Sequence, residues 1–266
     1  MRGRNMQRTG LVVALSVAGL ALHHAAPVAA QVIVSAGTEH GSGTYGTGQR
    51  IATSTASIGL RAKRKRVSAF ASLPVVRVDA PGNVVVTGGP LGLPILVDPA
   101  RPVTRVRRSG LGDAVVGASV QLVEPRQHRI ALAVTGSAKL PTASATHGLG
   151  TGKSDVAIAV EAARPGKITP FAALGYTVVG RSSGYRLENV ATARGGVALR
   201  LGQAGEVSVA YNHASRVSLG TGGREEVAAG LETPLSSRLS LGMQGSAGLS
   251  RGAPEAGAGL RLGLRL

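Results

Sequence analysis

Two glycine-rich stretches carry the letters of phosphate-binding loops. Gly41-Ser42-Gly43-Thr44-Tyr45-Gly46 fits G-x-G-x-x-G, and Gly148-Leu149-Gly150-Thr151-Gly152-Lys153-Ser154 ends like a P-loop. Such a cradle must open a helix, because the amides of the helix N-terminus hold the phosphate. Neither stretch leads into a helical pattern, and His147 stands where the P-loop needs its first glycine. Both therefore read as loops between strands. Outside the first thirty residues the histidines are His40, His128, His147 and His213, none at metal-ligand spacing from another or from carboxylates. No metal, no cofactor and no catalytic set is expected.

The remaining chemistry-bearing residues are charges and amides scattered through alternating segments. Arg61, Gln121, Arg129, Lys139, Asp155, Glu161, Arg194, Arg200, Glu206, Asn212, Glu226, Glu232, Gln244, Arg261 and Arg265 fall on the polar side of their segments. Groups of both signs gathered in one interior do one of two things. They pair with each other across strands, or they line a polar path for solutes.

The elements that position them show best between Ala256 and Leu266. There Ala256, Ala258, Leu260, Leu262, Leu264 and Leu266 alternate with Gly257, Gly259, Arg261, Gly263 and Arg265. A helix would scatter the leucines, whereas a strand puts them all on one face. Twelve such runs can be read between turn signals, at 31–39, 50–62, 67–79, 112–122, 129–140, 154–163, 168–179, 190–201, 206–213, 225–232, 238–249 and 257–266. The gaps between them are long and short in strict alternation. Long external loops, short periplasmic turns and an even strand number are the pattern of an outer-membrane barrel. Ala80 to Leu111 is the one irregular stretch, with five prolines and Arg101, Arg105, Arg107 and Arg108, and it is expected to cap the barrel or fold into its mouth.

Composition agrees. Arg2, Arg4 and Arg8, an apolar run from Leu11 to Leu22, and Val28-Ala29-Ala30 have the layout of a secretory signal peptide over residues 1–30. Residues 31–266 are then the barrel, with 27 Lys+Arg against 13 Asp+Glu. No cysteine is present, so disulfides and thiolate metal sites are excluded. With 39 Gly, no Trp, 4 Tyr and 2 Phe, the chain has little to fill a water-soluble core, and lipid contact removes that demand. The basic charge is spread out and has few aromatics for base stacking, so nucleic acid is not an expected partner. The expected partners are outer-membrane lipid, a small-molecule solute and the barrel-assembly machinery.

Several blocks also resemble a known family. Ser42-Gly43-Thr44-Tyr45-Gly46 follows the first strand, and Leu73-Pro74 lies in the third. Ser109-Gly110-Leu111-Gly112-Asp113, Lys139-Leu140-Pro141-Thr142, Gly148 to Asp155 and Leu174-Gly175-Tyr176 come next in order. Together they are similar to the MetA-pathway of phenol degradation family of outer-membrane barrels. The twelve runs predict an all-β, antiparallel up-and-down barrel of twelve strands; the resemblance implies the outer membrane of a diderm (Gram-negative) bacterium. It also implies a porin-like transporter passing small, hydrophobic or aromatic solutes, and no enzyme. Two alternatives stay open. One is a barrel with a structural or surface role and no transport. The other is a hydrolase with a lipid-face site around His213.

Overall fold

The computed structural model describes residues 31–266 except 87–94, 99, 125–128, 183–184, 203–204 and 219–220; the expected leader at 1–30 and His128 therefore lie outside the described residues. All regular structure among the described residues is β. Twelve staves are built from β1 (Gln31–Gly43), β2 (Ile51–Arg64), β3 (Val67–Pro81), β6 (Arg105–Leu111) continued by β7 (Ala114–Val123), β8 (Ala131–Leu140), β9 (Asp155–Ala163), β10 (Ile168–Val178), β11 (Val190–Arg200), β12 (Glu206–Ala214), β13 (Arg224–Pro234), β14 (Leu239–Gly248) and β15 (Ala256–Arg265). Each pairs antiparallel with its chain neighbour, and β1 pairs with β15 from Ile33↔Arg265 to Ser42↔Ala256. The sheet closes into a barrel. In lipid no water is present to satisfy an open edge, so closure is what makes a spanning sheet tenable.

The strands form because apolar and polar residues alternate with the pleat. Ile58, Leu60, Val156, Ile158, Leu174, Leu260 and Leu262 project outward and are exposed, Leu174 to 68%. The intervening positions face inward and are buried or half-buried. The loops at one end, such as 141–154 and 179–189, are mostly longer than the turns at the other, where β2 and β3 are joined by Lys65 and Arg66 alone.

Much of the described part of the stretch Ala80–Leu111, expected to be irregular, is paired strand. β6 extends its stave above β7 by pairing Arg105–Leu111 with Val75–Pro81 of β3. Between β3 and β6, β4 (Val84–Val86) and β5 (Ile95–Val97) form a separate small hairpin. Three-residue strands are too short to show a period. The outward side chains of β6 run from Leu111 through Ser109 to Arg107 and Arg105, because this part of the stave rises above the apolar band.

Candidate functional site

The β4–β5 hairpin crosses the loop end of the barrel. Val84, Val86 and Ile95 pack with Ile51 of β2, with Val76, Val78 and Ala80 of β3, and with Tyr45, Ala143 and Leu149 from loops. Val85 and Leu96 pack on the other side with Val190 and Val217, flanked by Val179, Tyr185, Leu187 and Ala214. Ile51, Val76, Val78, Ala80 and Val190 all point inward, and β2–β3 stand across the barrel from β11–β12. The hairpin is therefore clamped between opposite walls. Its five residues Val84, Val85, Val86, Ile95 and Leu96 form the apolar core that the wall strands lack.

The two phosphate-loop look-alikes hold this hairpin. Tyr45 adopts φ 49° and tucks its ring into the first cluster, and Gly46 follows at φ 76°. In the second stretch Leu149 fills the same cluster, and the carbonyl of Gly148 accepts the amide of Val86 at 3.1 Å. Gly148 has φ 66°, and a Cβ there would strike the Arg108 guanidinium. Arg101 donates to the carbonyls of Ala145 and Thr146, and Arg108 to those of His147 and Val84. The guanidiniums thus tie one loop to the other, and these glycines serve close packing. Asp98 fixes the foot of β5. It pairs with Arg101 at 3.0 Å and accepts the Tyr185 hydroxyl at 3.0 Å. Burial works to raise the Asp98 pKa, but the Ala100 amide, Tyr185 and Arg101 outweigh it and hold the group below its ordinary value.

Three of the blocks that carry the family resemblance converge beneath that loop. Lys139 is 1% exposed and lies 2.9 Å from Asp155 and 3.3 Å from Asp113. Asp113 also accepts the Ala143 amide and Asp155 the Gly180 amide. Thr142 accepts the Ala114 amide and donates to the Gly112 carbonyl. GLGD, KLPT and GKSD are thus one buried knot, which fixes the 141–154 loop where β6 passes into β7.

Of the other sequence-predicted residues, Arg61, Gln121, Glu161, Arg194, Arg200, Glu206, Asn212, Gln244, Arg261 and Arg265 are half-buried on the inward face, and Glu226 and Glu232 are buried there. Glu232 pairs with Arg261 at 3.1 Å and Glu226 with Arg224 at 2.8 Å. Glu161 and Arg194 flank Ala173 of β10 in one inward row of the same wall. Arg129 is the exception. It precedes β8 with φ 57°, exposed in a turn, because the left-handed backbone there takes it out of the strand's alternation. The sequence reading also missed the two phenylalanines. Phe70 and Phe171 point inward, with Arg61 and Arg194 lying 5.5 and 5.0 Å from their ring centroids. Each ring covers a glycine of the next strand, Gly117 and Gly196. Their phase with the polar residues of β3 and β10 was the available signal. His213 meets Glu225 at 3.5 Å, and among the described residues no group of three His, Cys, Asp or Glu could hold a metal.

The family model described as "Putative MetA-pathway of phenol degradation" matches residues 32–266, and the chain belongs to that family. The fold is similar to the COG4313 outer membrane channel of Pseudomonas putida F1, with TM-score 0.68 and 15% identity over 91% of this chain and 97% of that one. It is also similar to the translocator domain of the autotransporter NalP of Neisseria meningitidis, with TM-score 0.50 and 11% identity over 92% and 91%. No curated protein matches the chain.

Proposed function

We propose that this protein is a passive channel of the outer membrane of a diderm bacterium, admitting small hydrophobic or aromatic solutes past an apolar hairpin. In this reading the loop end faces outward and the inward charges line a narrow path below the hairpin. Residues 1–30 direct export, and the barrel-assembly machinery inserts the chain. The observation that carries the proposal is the β4–β5 hairpin, an apolar element held across a polar-lined barrel by packing on both faces. Such a barrier excludes ions and hydrated solutes while offering an uncharged ring surface contact of its own kind. Family membership and the fold of an outer membrane channel support the same reading.

A barrel sealed by its ion pairs is the second reading, favoured by Arg261–Glu232 and the Lys139 knot. Excision separates the two. The Gly82 amide already bonds to the Thr104 carbonyl at 2.9 Å, so Asn83–Val103 can be replaced by a short Gly-Ser link. In planar bilayers we expect small, brief openings from the intact protein and a several-fold larger steady conductance from the excised one. Silence from both establishes the sealed barrel.

A further inference from the structure

The outer wall carries a second feature, on the lipid side and unrelated to the lumen. On β1, β2, β3 and β6 the outward side chains change character within one row. The row Thr38–Ala56–Val75–Leu111 is mainly apolar, with Val75 and Leu111 about half exposed. The next row toward the loops is His40–Ser54–Arg77–Ser109, and the one after it contains Ser42, Ala52, Asp79 and Arg107. Successive outward residues on a strand lie about 7 Å apart, so Arg77 stands one headgroup's reach above the apolar band.

Arg105 and Arg107 both turn to Asp79, at 2.7 and 3.0 Å, and remain 49% and 63% exposed. Arg105 also donates to the carbonyl of Arg50, and the Arg50 side chain donates to Ser42. His40 shares a hydrogen bond with Ser54 at 2.9 Å. Arg105 and Arg107 thus share one carboxylate, and the exposed Arg50 and Arg77 stand beside them on the same outer face. The apolar surface of Leu73, Val75 and Leu111 lies directly beneath them.

We propose that this patch is a binding site for the net-anionic, phosphate-bearing headgroup of a membrane lipid, whose acyl chains lie against Leu73, Val75 and Leu111. Guanidinium forks match phosphate oxygens in bidentate geometry, and a fixed set of them at the membrane surface recognises an anionic headgroup. The patch also supplies anchoring that the scarce outward aromatics, Tyr176 and Tyr211, provide at few points of the circumference. This inference does not depend on the transport reading.

The test uses the full barrel folded into phosphatidylcholine vesicles with or without lipid A. The thermal midpoint of the gel-mobility change is measured, and retained lipid is counted by native mass spectrometry. Lipid A is expected to raise the midpoint and to remain bound. R77Q/R105Q/R107Q loses both effects and keeps the midpoint of the phosphatidylcholine sample, and Arg77→Gln alone loses part of them. Added salt weakens the binding. An undiminished rise in the triple variant overturns the proposal. So does a rise that disappears with R64Q/K65Q/K167Q/R238Q at the turn end, which would place the lipid there. Reproduction of the rise by inorganic phosphate without lipid A would mean a site for a free anion, and that also overturns it.

Discussion

The wall strands and the hairpin that crosses them are both antiparallel β structure, yet they bury opposite things. Away from the loop end, the wall strands turn their large apolar residues out and their polar residues in. The hairpin buries Val84, Val85, Val86, Ile95 and Leu96 on both faces. Lipid satisfies the wall's apolar side, so the wall needs no oily interior. The hairpin has no lipid to meet and finds its apolar partners on the inner side of two opposite walls and in the loops beside them. The one sizeable apolar core among the described residues therefore sits where a solute would have to pass.

The contrast between wall and hairpin breaks most severely at the knot beneath the hairpin. Lys139→Met leaves Asp113 and Asp155 buried without their cation, and removing one partner of a buried pair costs about 3–5 kcal/mol. We expect Lys139→Met to lower the heat needed to unfold the barrel in detergent, read as the temperature at which the unboiled band shifts. Leu174→Ala on the lipid face is the control, and it should leave that temperature nearly unchanged because the side chain is already exposed.

Leu96→Ala acts on the hairpin alone. Losing a fully buried leucine costs about 2–5 kcal/mol, borne by the closed hairpin, so open time in bilayers should rise by about tenfold or more at unchanged barrel stability. Phe171→Ala removes the ring beneath Arg194, an interaction of about 0.5–2 kcal/mol. Its expected effect is a modest change in single-channel current with no change in open time.

Acid gives the mildest perturbation. The Asp98 carboxyl is held below the ordinary 3.8, so its contribution is complete above that value and is lost as the pH falls through the lower folded-state value. Openings should stay rare from neutral pH down to about 4 and increase only in stronger acid. An increase already at mildly acidic pH would show that Asp98 does not hold the hairpin.

The wall was legible because its environment imposes a two-residue period, and the staves fall close to the runs read from the sequence, except that the β6 half of the fourth lay in the stretch read as irregular. The hairpin was not, because a segment buried on both sides shows no alternation and three residues are too few to show a run. Asp113 was read as part of a family block and not as an inward charge, because it lies in the break between β6 and β7, where phase is lost. Arg129 was placed on the wall because a positive φ leaves no mark in the letters. Tyr45 and Leu149 lay inside stretches whose glycines resembled phosphate loops, and only the fold shows that these glycines make room for guanidiniums and an aromatic ring.

The seam between β1 and β15 has a consequence for how the molecule comes into being. Its ladder joins residues more than two hundred positions apart, such as Val34 with Leu264. Every other wall contact can form between sequence neighbours, but the cylinder stays slit until the fifteenth strand arrives. A half-made cylinder would expose two ribbons of bare amides to hydrocarbon, so completion is expected as a single late event, slow because its two ends are so distant along the chain.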